Sequence, residues 1–188
     1  MNNKHRIFIG LDLSGYLMNV IPMIRSTIED KKQLVNWISG KNLHLTLSFI
    51  GDIDSEKIAN LEEQLNSISA LDSFDIVING TGIFPSEKNP KILWLDIEKG
   101  KQQLIDVQNN IEKIAIPFKS NIKNEEYIPH ITIGRIKNVN KNLNFDLSTF
   151  LNAVYSSIKI PVKTIYLFKS ELLESRAVYS IISQYSLK

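Results

Sequence analysis

His44-Leu45-Thr46-Leu47-Ser48-Phe49-Ile50-Gly51 and Pro129-His130-Ile131-Thr132-Ile133-Gly134-Arg135 share one pattern, far apart in the chain. Each is a short run in which apolar and polar residues alternate, the signature of a strand with one buried face. In a strand, successive side chains point to opposite faces. Leu43, Leu45, Leu47 and Phe49 are therefore expected on one face, with His44, Thr46 and Ser48 on the other. Ile131 and Ile133 oppose His130, Thr132 and Gly134 in the same way. Each run thus projects an imidazole and a hydroxyl to one side, about 6.5–7 Å apart. Two of the three histidines stand in this setting. His5 has no such partner and reads as a solvent-facing flank.

The pairing has chemical meaning. Imidazole changes charge near neutral pH. One histidine can take a proton from a nucleophile while a second gives one to a leaving oxygen. A threonine two residues away can donate a hydrogen bond to an anion lying between them. Two such units facing each other would cradle a phosphoryl group with neither metal nor covalent intermediate. A zinc site needs three or four ligands, and no carboxylate recurs at matched spacing in the two runs. Asp52, after Gly51, reads as a turn residue. No metal and no cofactor are expected, and the Gly-rich loop of a P-loop or Rossmann nucleotide site is missing.

Outward from these runs, the spacing predicts a strand over Arg6–Leu13 and an amphipathic helix over Val20–Trp37, with Pro22 in its first turn. A helix opens at Asp54 with the apolar stripe Ile58, Leu61, Leu65 and Ile68. Strands are expected at Phe74–Ile83 and Ile92–Ile97, then a helix over Lys101–Ile114. A short helix at Leu147–Tyr155 precedes two closing strands, Pro161–Lys169 and Ala177–Tyr185, joined by Glu174-Ser175-Arg176. The order is roughly βαβαβ, βαβαββ, an α+β or mixed α/β chain with no linker dividing it.

The 188 residues correspond to about one domain. With 43% hydrophobic and 22% charged residues, the composition is that of an ordinary globular protein. Without cysteine, disulfides, thiolate metal sites and cysteine nucleophiles are excluded. A net charge of +2 is too mild to argue for long-range capture of nucleic acid, while leaving room for a local anion site. Asp12 interrupts the first apolar run before a signal-peptide core is complete. Nowhere do ~18 apolar residues run together, so no membrane helix is expected. The reading is a soluble cytoplasmic protein, with a monomer as the default.

At these residues the sequence resembles the two-histidine (2H) phosphoesterase superfamily. The likeness is greatest to its RNA 2′,3′-cyclic phosphodiesterase branch, historically named 2′-5′ RNA ligase. It covers nearly the whole chain. Arg6–Leu11 resembles the family's opening strand, and Asn42–Gly51 its first signature. Gly82-Ile83-Phe84-Pro85 followed by Leu93-Trp94 resembles its middle block, and Pro129–Arg135 its second signature. Tyr166–Ser170 and Val178-Tyr179 resemble its closing hairpin. A single H-x-T is weak evidence; the ordered set is specific.

The resemblance implies an α+β, bilobal fold over residues 1–188. Two pseudo-symmetric lobes with antiparallel-rich sheets line a central cleft, and the helices lie outside. It implies hydrolysis of a 2′,3′-cyclic phosphate at RNA or oligonucleotide ends, leaving a 2′-phosphate. Carried onto this chain, His44 is the general acid on the 3′ oxygen and His130 the base that activates water, roles that a symmetric pair leaves reversible. Thr46 and Thr132 are expected to hydrogen-bond the non-bridging phosphate oxygens. Arg135, three residues after Thr132, need not face the cleft by simple alternation; either a phosphate or base contact or a surface charge or salt-bridge partner fits it. By alternation Phe49 is expected first in the core, with stacking on a base the alternative if the strand twists at its end. Phe84-Pro85 and Trp94 are expected in core or loop-shaping roles, and Tyr127 and Tyr179 could line the cleft but are not assigned to it. Two alternatives stay open. One is a phosphodiesterase for 2′-5′ oligoadenylate or another small cyclic phosphate on the same core. The other is an RNA-binding module without catalysis, against which both histidines and both threonines argue.

Overall fold

A computed structural model describes residues 3–28, 33–122, 126–137, 146–173 and 176–188. In chain order the elements are β1 (Lys4–Asp12), α1 (Ser14–Leu17), α2 (Val20–Ser26), β2 (Val35–Trp37), β3 (His44–Asp54), α3 (Ser55–Leu65), β4 (Phe74–Ser86) and β5 (Asn89–Lys99). They continue with α4 (Lys101–Ala115), β6 (His130–Ile136), α5 (Ser148–Leu151), β7 (Ile158–Val162), β8 (Thr164–Leu173) and β9 (Arg176–Ser186).

The strands form two sheets, ordered β3-β1-β8-β9 and β2-β6-β5-β4-β7. All pairings are antiparallel. The first sheet joins the two ends of the chain; the second is built from the middle and borrows β2. This is the α+β architecture with antiparallel sheets expected above. The sheets are not successive halves of the sequence.

One face of each sheet is apolar. Ile7, Ile9, Leu45 and Leu47 in the first sheet, and Leu93, Leu95, Ile131 and Ile133 in the second, belong to one contiguous buried cluster. The helices complete it by their periodicity. Leu104, Val107, Ile111 and Ala115 fall three or four residues apart and are the buried residues of α4. Leu61 and Leu65 do the same in α3. Helix α4 packs on β3, and β3 meets β6 directly, so the two H-x-T strands lie next to each other although they belong to different sheets.

Two expected elements are different in the structure. The helix begun at Val20 runs only to Ser26, and part of the remaining stretch, residues 29–32, lies outside the described residues. Val35–Trp37 is instead a strand paired with β6. Its apolar spacing fits both periods, and sheet pairing decides between them. The run Pro161–Lys169 is not one strand: β7 pairs with β4 and β8 with β1, so the chain changes sheets at Lys163. The turn expected at Glu174-Ser175-Arg176 begins outside the described residues.

Candidate active site

β3 presents His44 and Thr46, and β6 presents His130 and Thr132, all half-buried and alternating with the fully buried Leu45 and Ile131. His44 Nδ1 lies 2.7 Å from the carbonyl oxygen of Asn42, and His130 Nδ1 lies 2.7 Å from that of Ile128. A carbonyl only accepts, so Nδ1 carries a proton in both rings, and the neutral tautomer leaves Nε2 with its lone pair. The same backbone contact, two residues upstream, therefore leaves Nε2 of both imidazoles as the nitrogen able to take up a proton.

The strands repeat a second device. In the β1–β3 ladder Gly10 is opposite Thr46 and Ile9 is opposite Ser48, so Leu47 is an extra, bulged residue. In the β5–β6 ladder Trp94 is opposite Thr132 and Leu93 is opposite Gly134, so Ile133 is bulged in the same place. A bulge shifts the alternation by one. Ser48 and Gly134 consequently turn to the core side, against the regular-strand expectation. Ser48 is only 4% exposed, and its hydroxyl donates to Glu112 Oε2 at 2.9 Å. Phe49 and Arg135 return to the histidine face. Phe49 is directly opposite Phe8 and 53% exposed, so the core position expected for it is overturned. Arg135 is exposed on the face from which its charge acts on both His44 and His130.

Aromatic rings wall both imidazoles. His44 lies 4.9 Å from Phe8 and 5.1 Å, edge-on, from Tyr179. Phe8 stacks on Phe168 at 4.8 Å. His130 lies 4.9 Å, edge-on, from Phe84, and Phe84 stacks on Trp94 at 4.9 Å. Phe84 and Trp94 thus pack at the site, beyond the structural role expected of them, and Tyr179 lines it. Phe8 and Phe168 escaped sequence reading because their strands are apolar on both faces near them, which hides the alternation. An aspartate stands opposite each histidine, Asp12 across from His44 and Asp96 across from His130, a match visible only once the strands are paired.

Electrostatics ties the two halves into one site. Burial is the main cause holding both imidazoles below the ordinary histidine range, and the carbonyl contacts oppose it. The Arg135 guanidinium lowers both further, and the charge of His130 lowers His44. Asp12 pulls His44 weakly the other way. The two imidazoles are thus near enough for charge to act between them, in keeping with the direct contact of β3 with β6. Among the described residues, no three of His, Cys, Asp or Glu gather as a metal site would require.

Comparison with known proteins gives the family. The model of the LigT-like phosphoesterases matches residues 23–94 and again 95–179, so each match holds one H-x-T strand, and the chain belongs to this family. It is 30% identical to an RNA 2′,3′-cyclic phosphodiesterase of Aquifex aeolicus (strain VF5), covering 97% of both chains. A Methanocaldococcus jannaschii protein of the same name is 27% identical, covering 96% of this chain and 99% of the relative. Among solved structures, TT0787 of Thermus thermophilus superposes with a TM-score of 0.75 at 20% identity over 97% of each chain. E. coli LigT, in complex with 3′-AMP, gives 0.69 at 19% identity over 98% of each.

Proposed function

We propose that the protein hydrolyses the 2′,3′-cyclic phosphate at RNA or oligonucleotide ends to a 2′-phosphate. The observation that carries this reading is the matched pair of imidazoles, each held through Nδ1 and each two residues along its strand from a threonine on the same face. The relatives named RNA 2′,3′-cyclic phosphodiesterase support the choice of substrate.

The chemistry follows from the groups present. His130 Nε2 takes a proton from water as the water oxygen bonds to phosphorus. The bond from phosphorus to the 3′ oxygen breaks, and His44 delivers its Nε2 proton to that oxygen. The products are a 3′-hydroxyl and a 2′-phosphate; the two imidazoles have exchanged charge states and reset by proton exchange with solvent. Negative charge grows on the non-bridging oxygens in the transition state. Thr46, Thr132 and Arg135 donate there, an effect worth about 3–4 kcal/mol for one well-placed donor. The protein acts as a cytoplasmic monomer in this reading. No helix among the described residues is long and apolar enough to cross a membrane.

The test is hydrolysis of 2′,3′-cyclic nucleotides in EDTA, with phosphorus NMR to identify the product. The expected product is the 2′-phosphate, with turnover unaffected by the chelator. His44→Ala and His130→Ala should each abolish turnover while keeping the far-UV circular dichroism of the parent. Full activity in both variants refutes the reading; activity lost in EDTA and restored by zinc replaces it with a metal site.

A further inference from the structure

We infer that the cleft continues past His44 into a second nucleobase site near the junction of β7 and β8, which takes the nucleotide preceding the cyclic phosphate. This rests on the cyclic phosphodiesterase reading above.

Gly10 of β1 is opposite Thr46 on one side and Tyr166 of β8 on the other. Having no side chain, it leaves the floor open between the threonine and the tyrosine. A Cβ there would come within 2.5 Å of the Leu45 carbonyl oxygen, so the position holds only glycine without distortion. Two strand spacings place Tyr166 about 10 Å from Thr46. The rings along this floor are continuous: Tyr166 lies 5.7 Å from Phe168, which stacks on Phe8 beside His44.

At the far end is a cavity of about 140 Å³ whose lining includes Asp12, Tyr16, Lys163, Thr164 and Tyr166. Asp12 is directly opposite His44 in the β1–β3 ladder, so the cavity starts one strand away from that imidazole. Tyr16, on α1, is 47% exposed. Two phenol rings, a carboxylate and an exposed ammonium suit a nucleotide of a single strand. Aromatic rings stack with any base, the carboxylate accepts from a base amino group or a ribose hydroxyl, and the lysine meets the linking phosphate as a point charge.

The experiment compares kcat/KM for a 2′,3′-cyclic mononucleotide with that for a dinucleotide ending in the same cyclic phosphate. The parent should favour the dinucleotide at least tenfold. Tyr16→Ala should reduce that preference to near unity and leave the mononucleotide within twofold, whereas Tyr16→Phe, which keeps the ring, should retain it. Lys163→Ala should lower the dinucleotide rate alone and weaken its salt dependence. Equal rates for the two substrates in the parent overturn the inference. So does an equal loss on both substrates in Tyr16→Ala, which would put the terminal base in the cavity. A parent that hydrolyses neither substrate instead refutes the underlying activity.

Discussion

The hydroxyl of Tyr127 donates to the carbonyl oxygen of Thr46 at 3.0 Å, tying the segment that leads into His130 to the strand that carries His44. Burial pushes the Tyr127 phenol far above the ordinary tyrosine range, so it stays protonated, and a donor, at every pH of interest. The contact fixes one H-x-T strand against the other through a single bond. Tyr127→Phe removes that bond and little else. The expected loss of stability is about 1 kcal/mol, read from the urea midpoint. Misplacing paired groups affects the chemical step more than binding, so kcat should fall several-fold with KM within twofold. A change in KM alone would show that the bond serves binding.

Burial is the main cause of the lowered imidazoles, and Arg135 is expected to shift the pH range of activity further. Its positive charge lowers both imidazoles, so removing it raises both. The acid and base limbs of the kcat/KM profile belong to the free protein. In Arg135→Gln both limbs should move to higher pH, and the maximum should drop about 10²-fold through loss of a phosphate donor. Arg135→Lys should hold the limbs in place. Limbs that stay put in Arg135→Gln would mean that the guanidinium does not act on the histidines.

Gly51 tests the backbone beneath the first motif. It has φ of +90°, a left-handed conformation, and a Cβ there would meet Ser120 Oγ at 2.3 Å. Gly51→Ala should cost about 1–2 kcal/mol from the backbone alone, seen as a lower melting temperature. Turnover well below the transition should be preserved, since the glycine touches neither histidine.

Ser48 tests the bulge from its core side. Its hydroxyl bonds to Glu112, and Glu112 also pairs with the mostly buried Lys119. Ser48→Ala should destabilise by about 1.5–3 kcal/mol, the range for hydrogen bonds to charged groups. Glu112→Ala should cost more, because it leaves the Lys119 ammonium without that partner. Denaturant unfolding of both variants ranks them, and the reverse order would sink this account of the contact.

Much of this site could be read directly from the chain. Alternation placed His44, Thr46, His130 and Thr132 on their shared faces, and the 3.6-residue period placed α3 and α4. What escaped depends on register. Leu47-Ser48-Phe49 reads as unbroken alternation, yet the bulge at Leu47 reverses it and brings Phe49 out of the core. The same shift resolves Arg135, whose direction alternation alone left open. Pro161–Lys169 reads as one apolar run because both sheets demand the same composition on either side of Lys163. The Tyr127–Thr46 bond and the aspartates facing the histidines join residues that only tertiary pairing brings together.

The matched bulges also bear on directionality. Two imidazoles held by matching contacts on matching strands cannot by themselves distinguish the 2′ from the 3′ oxygen of a ribose, since either could serve either end of the displacement. At the positions the bulges turn outward, one half of the protein carries a phenyl ring and the other a guanidinium. In the proposed reaction that mismatch, Phe49 on one side and Arg135 on the other, is one difference by which the cleft can tell the two oxygens apart.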